Sequence, residues 1–188
     1  PLHPAWHNPS PPGIECPSVA GPEIWDELSG EISGFTCSVG TGGTLAGVGM
    51  AFKERNSSIK IALSDPMGSA LYHYYKSGEL RAEGSSITEG IGQGRETENL
   101  VGAPIDDAYQ IPDEEALPII FDLLKNEGLC LGSSSGINVA GAIRMAKELG
   151  PGHNIVTILC DHGTRYQSKL FNVKFLKNKN LPYPDWLI

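Results

Sequence analysis

Short apolar runs alternate along this chain with stretches whose apolar positions recur every three or four residues. The runs at 32–39, 60–65, 107–111 and 154–160 are continuous rather than alternating, the pattern of strands covered on both faces. Between them the spacing predicts helices. Pro22 opens one over 22–28, which Ser29-Gly30 ends. Another covers 45–55, with Leu45, Val48, Gly49 and Phe52 along one face. A Tyr-rich helix over 68–76 closes at Ser77-Gly78, and a Gly-rich loop follows at 84–102. Asp113 is the expected cap of a helix over 113–126, with Pro118 near its first turn and Gly128 past its end. Residues 129–131 are apolar, a helix over 137–149 stops at Gly150-Pro151, and a last helix covers 165–171. Strands and helices in alternation predict the α/β class, a parallel sheet flanked by helices in three layers. No internal repeat is evident.

Composition narrows the choice of partners. The chain is 40% hydrophobic and 19% charged, as in an ordinary globular domain, and 188 residues suffice for a real core. A net charge of −8 argues against a nucleic-acid or anionic-membrane partner. No run approaches the ~20 apolar residues of a membrane span. Cys16, Cys37, Cys130 and Cys160 are scattered, three of them within apolar runs where Cys acts as a small buried hydrophobe. They show no ligand spacing, and neither do His3, His7 and His73, so metal is not expected and a reducing compartment fits. Residues 1–20 hold six prolines and no initiator Met, and read as a disordered arm at a truncation edge or alternative start. The folded domain is expected over 21–188.

Two loops stand where strands pass into helices, the place where parallel sheets hold ligands. The first, Gly40-Thr41-Gly42-Gly43-Thr44, combines three glycines, two hydroxyls and a following helix N-terminus, which together make a phosphate cradle. A P-loop would carry Lys at 44, and a dinucleotide fingerprint from Gly40 would carry Gly at 45; Thr and Leu stand there. A glycine-rich turn without a ligand is the alternative. The second loop, Gly132-Ser133-Ser134-Ser135-Gly136, matches the nucleophile elbow of hydrolases. Asp161 and His162 follow in the order a triad needs, but as chain neighbours their side chains point to opposite faces. His153 sits in a Pro-Gly-His turn. A serine-capped helix start is the better reading. Tyr72, Tyr74 and Tyr75 read as core and interface aromatics.

Six motifs in order make the chain, from Gly21 to Leu187, resemble the cysteine synthase and cystathionine β-synthase branch of the fold-type-II pyridoxal-phosphate enzymes. They are Gly-Pro-Glu-Ile-Trp at 21–25, Val-Gly-Thr-Gly-Gly-Thr-Leu-Ala-Gly at 39–47, and Asp-Pro-x-Gly-Ser at 65–69. Glu-Gly-Ile-Gly at 89–92, Ser-Ser-Gly-Ile-Asn-Val-Ala at 134–140 and Gly-Thr-Arg-Tyr at 163–166 complete the set. The resemblance implies the tryptophan synthase β-like fold, with Gly40, Thr41, Gly42, Gly43 and Thr44 gripping the phosphate of pyridoxal 5′-phosphate. It implies that Gly90 lies near an amino-acid substrate and that His162 faces the pyridine nitrogen, where related enzymes often carry Ser. It further implies β-replacement on O-acetylserine through an aminoacrylate, with sulfide attacking to give cysteine and acetate.

One departure limits what is expected. The family's Ser-x-Lys-x-Arg segment, which carries the Schiff-base lysine, and its Thr-Ser-x-Asn-Thr-Gly substrate loop occur nowhere in these 188 residues. The expectation is a C-terminal portion of a cysteine synthase, a lyase or transferase of cysteine biosynthesis, that is inactive alone. The intact enzyme is expected to be a homodimer, in the cytoplasm or the mitochondrion. A cystathionine β-synthase-like fragment using homocysteine, and a non-catalytic isoform that binds intact subunits, are the alternatives.

Overall fold

The computed structural model describes residues 17–187. Most of the arm expected at 1–20 lies outside that range. The part inside it is helical: α1 spans Pro17–Glu27, so Pro22 sits within the helix rather than at its start. Packing outweighs the missing N–H. Gly21 lies so close to α2 (Gly43–Arg55) that a β-carbon there would stand 2.6 Å from Ala51 Cβ. The Trp25 and Phe52 rings lie 6.3 Å apart, and the Arg55 guanidinium sits over the indole.

The remaining elements follow in the order β1 (Gly34–Cys37), α2, β2 (Lys60–Pro66), α3 (Leu71–Ser77), β3 (Asp107–Ile111), α4 (Asp113–Asp122), α5 (Ser133–Leu149), β4 (Ile155–Val156) and α6 (Val173–Asn178). Among the described residues, four parallel strands run in the order β3-β2-β1-β4. Gly34 pairs with Lys60 on one side and with Ile155 on the other, and Ala62 pairs with Asp107. The alternation of side chains along strands separates the apolar clusters on the two faces of the sheet, while a third lies between α4 and the C-terminal segment. Phe35, Cys37, Ile61 and Leu63 pack with Leu45, Val48, Phe52 and Leu71 from α2 and α3. On the opposite face Ala62, Tyr109 and Ile111 meet Ala116, Ile137, Ala140 and Met145 from α4 and α5. The three-layer α/β architecture expected from the sequence is the one observed.

Several boundaries differ, each for a reason. Asp113 does not cap α4. Its carboxylate accepts from Ser86 Oγ (2.6 Å) and the Ile87 N–H (2.7 Å), anchoring the long loop instead. Helix α4 runs on into a π-helical turn, Leu123–Glu127, before Gly128 at φ +71° ends it. Residues 129–131 form no strand beyond a single bridge between Leu131 and His162. The helix expected at 165–171 is a 3-10 turn, Gly163–Tyr166, and the last α-helix comes later, at α6. Cys37 is buried as expected, but Cys130 is half-buried and Cys160 exposed.

β4 is much shorter than 154–160 because side chains take over its ladder. Thr157 Oγ1 donates to the Thr36 carbonyl (2.6 Å), Asn138 Nδ2 donates to the Ile158 carbonyl (2.7 Å), and the Cys160 N–H donates to Ser135 Oγ (2.9 Å). β1 ends in the same way, since the Ser38 N–H donates to Asn138 Oδ1 (2.7 Å).

Candidate cofactor site at the switch point of the sheet

From β1 the chain proceeds outward through β2 to β3, then returns to place β4 on the other side of β1. The crevice beyond the carboxyl ends of β1 and β4 is therefore the topological switch point, the place where open parallel sheets bind ligands. The 40–44 loop leaves β1 there, and the 157–162 segment leaves β4.

The loop is built as an anion cradle. Helix α2 begins at Gly43, and its N-cap, Gly42, has φ +90° and provides no side-chain cap. Ala46 is the first residue whose N–H finds a backbone carbonyl, that of Gly42 at 3.0 Å. Among the described residues the N–H groups of 42–45 have no acceptor, so they are free for an anion at the positive end of the helix dipole. Each glycine has a separate reason to be there. A β-carbon on Gly40 would stand 2.9 Å from the Gly90 carbonyl oxygen, and one on Gly42 would stand 2.7 Å from Leu100 Cγ. At Gly43 the nearest atoms to such a carbon are 3.8 Å away, which leaves the backbone open to an approaching group.

The long loop braces this cradle from outside. The Gly92 N–H donates to the Val39 carbonyl (3.1 Å), while Thr97 Oγ1 and Asn99 Nδ2 both donate to the Thr41 carbonyl. Ser69 Oγ and the Ala70 N–H both donate to the Gln93 carbonyl at 2.9 Å, tying the loop to the start of α3. Gly90, at φ +79°, is exposed with its carbonyl toward Gly40, so the structure brings together these two residues from different motifs. His162 is exposed in the segment after β4, and its ring makes no hydrogen bond among the described residues.

The other arm of the crevice is formed by the start of α5 and the segment after β4. Ser133, Ser134 and Ser135 form the first turn of α5 and are buried, so the run is a helix start but not a serine cap: the N-cap is Gly132, and Ser135 Oγ accepts from the Cys160 N–H instead. Among the described residues no triad assembles around Ser134. Asp161 Oδ2 accepts from Tyr166 Oη (2.6 Å) and lies 3.6 Å from Arg165, and no imidazole is bonded to it. That hydrogen bond is the main cause raising the Tyr166 hydroxyl above its ordinary range. Burial pushes the Cys37 thiol up, so it is a core group rather than a nucleophile. Sequence reasoning did not single out Asn138, Thr97 or Asn99, which set the shape of the crevice. Asn138 was visible as a polar residue inside the apolar run Ile137-Asn138-Val139-Ala140.

A parallel α/β sheet with an uncapped helix N-terminus and a glycine-rich loop at its switch point is an arrangement suited to a phosphorylated ligand. The comparisons with known proteins show the family. A family model described as pyridoxal-phosphate dependent enzyme matches residues 2–161, and the chain belongs to that family. The match begins inside the stretch read from sequence as an arm. Cysteine synthase 2 of Schizosaccharomyces pombe is 43% identical over 174 residues, covering 86% of this chain and 44% of the relative. Cysteine synthase 1 of Emericella nidulans is 47% identical over 169 residues, covering 87% and 45%. The solved O-acetylserine dependent cystathionine beta-synthase of Helicobacter pylori superposes with a TM-score of 0.74 at 33% identity, covering 81% of this chain and 48% of that one. The chain spans less than half the length of these relatives. The cofactor of the family is pyridoxal phosphate, and the free N–H groups and open face of the cradle fit its phosphate. No helix among the described residues is long and apolar enough to cross a membrane.

Proposed function

We propose that this chain is the phosphate-holding part of a pyridoxal-phosphate dependent cysteine synthase acting on O-acetylserine and sulfide. The observation that carries the reading is the uncapped start of α2, with the N–H groups of 42–45 unengaged at the switch point. The S. pombe and E. nidulans relatives support the choice of reaction by their names and identities. In this reading the residues 40–44 bind and orient the phosphate, and the carbonyl of Gly90 limits the space beside Gly40. Gly90 borders the amino-acid substrate, and His162 offers a ring nitrogen to the heteroaromatic nitrogen of the cofactor. Bound there, the cofactor supplies the electron sink for chemistry at the α-carbon of the amino acid.

No Ser-x-Lys-x-Arg occurs in these 188 residues, and none of their nine lysines lies in the 40–44 loop. The chain is therefore expected to bind the cofactor without turning over substrate. Equilibrium dialysis with pyridoxal phosphate, followed by assay with O-acetylserine and sulfide, tests both halves of this. One cofactor per chain without cysteine formation is the expected result, and cysteine formed by the chain alone contradicts it. The H. pylori neighbour favours a second reading, with homocysteine in place of sulfide. Joining the chain to the portion of a cysteine synthase that it does not match, and comparing turnover of the two nucleophiles, separates these readings.

A further inference from the structure

We infer that Thr97 and Asn99 are positioning residues, a two-donor clamp that fixes the direction of the Gly42 N–H toward the ligand. This rests on the reading of 40–44 as a phosphate cradle. Thr97 Oγ1 donates to the Thr41 carbonyl oxygen at 2.7 Å, and Asn99 Nδ2 donates to the same oxygen at 3.0 Å. Two donors fill both acceptor positions of that oxygen. The 41–42 peptide is planar and trans, so its N–H points opposite to its carbonyl. Holding the carbonyl toward residues 97–99 therefore turns the Gly42 N–H to the other side of the loop, away from the clamp.

Such a device is needed at this peptide more than at its neighbours. Gly42 has φ +90°, and a glycine tolerates both the observed peptide plane and the flipped one, which would present a carbonyl oxygen to an anion. Among the described residues no side chain caps α2 to resist the flip. Leu100, next to the clamp, packs where a Gly42 β-carbon would stand, so the loop is seated by an apolar contact as well as by hydrogen bonds. The 3-10 turn Glu98–Leu100 places Asn99 and Leu100 for these contacts, and the Leu100 N–H donating to the Thr97 carbonyl (2.9 Å) closes it. Thr97 and Asn99 are only partly buried, so changing them leaves the core intact.

The test compares the full chain with its Thr97→Val/Asn99→Ala variant, using pyridoxal phosphate and phosphate-free pyridoxal as probes, with the Gly42 amide followed by 15N relaxation without ligand. The wild type is expected to prefer the phosphorylated probe, and the variant to lose at least about tenfold of that preference, the scale of one hydrogen bond to a charged group. The variant's Gly42 amide is expected to become more mobile at an unchanged melting temperature. Thr97→Ser, which keeps the hydroxyl, is expected to retain most of the preference. A wild type that does not distinguish the two probes overturns the cradle reading and this assignment with it. A wild type that does, alongside a double variant with the same preference and an equally ordered Gly42 amide, overturns the clamp alone.

Discussion

Replacing Asn138 with alanine removes one side chain that serves both arms of the crevice. Its amide is fully buried, accepting from the Ser38 N–H at 2.7 Å and donating to the Ile158 carbonyl at 2.7 Å. Neither backbone group has a strand partner at that point, so the substitution leaves a donor and an acceptor unpaired. Each such loss costs about 1–3 kcal/mol when the group is buried. Ser38 and Ile158 are half-buried and regain some hydration, which favours the lower part of that range. The sum is about 2–4 kcal/mol, a large share of the ~5–15 kcal/mol that holds a typical domain together. For a domain of this size it lowers the melting midpoint by about 5–15 °C. Asn138→Asp is expected to fall in the same direction, because a carboxylate accepts from Ser38 but has no hydrogen to give Ile158. Urea and thermal unfolding followed by circular dichroism measure the effect. A loss below about 1 kcal/mol refutes the reasoning, since water would then be replacing the amide at both ends.

Gly141→Ala tests the packing of α5 on the sheet, because a β-carbon there overlaps Ser64 Oγ and crowds its 2.8 Å hydrogen bond with Thr36. Overpacking and a disturbed buried hydroxyl pair outweigh the roughly 1 kcal/mol gain in helix propensity, for a net loss of about 2–4 kcal/mol, partly restored by Ser64→Gly in the same melts. Burial pushes the Asp65 carboxyl up to about 6, against the opposing hydrogen bonds from Ser69 and the Tyr72 N–H. The folded chain therefore holds this proton more tightly than the unfolded one. That contribution is full below about pH 4 and is lost as pH rises through about 6, by up to about 3 kcal/mol. Urea melts across this range should show a slope that Asp65→Asn flattens, and parallel slopes would contradict it. Gly42→Ala, which places a β-carbon against Leu100 at a positive φ, should weaken pyridoxal phosphate binding at least about tenfold. Gly94→Ala, with nothing within 4 Å, should not change it in the same titration.

The parts of the fold that were legible in sequence are those governed by local pattern. β3 falls at the expected 107–111 because its apolar run is bounded by charge and proline, and Gly128 and Gly150 end their segments through their own backbone freedom. The parts that were not legible depend on contacts between distant segments. Pro22 signals a helix start by composition, and only the fit of Gly21 and Trp25 against α2 carries the helix back to Pro17. β4 reads as a long strand because its residues are apolar, yet Thr157, Asn138 and Ser135 take over its polar backbone groups. At the candidate site, the glycine-rich loop was readable because close backbone approach and positive φ leave a compositional trace. The clamp at Thr97 and Asn99 leaves none, since the two side chains meet a carbonyl more than fifty residues away.

The central claim is that residues 40–44 hold the phosphate of pyridoxal phosphate, and a 1H–15N correlation titration of the chain with that cofactor addresses it most directly. The account predicts that the amides of Gly42, Gly43, Thr44 and Leu45 shift most, and that inorganic phosphate moves the same amides in the same direction. Shifts centred instead on the serine-rich start of α5 at 133–135, with the amides of 42–45 unmoved, would contradict it.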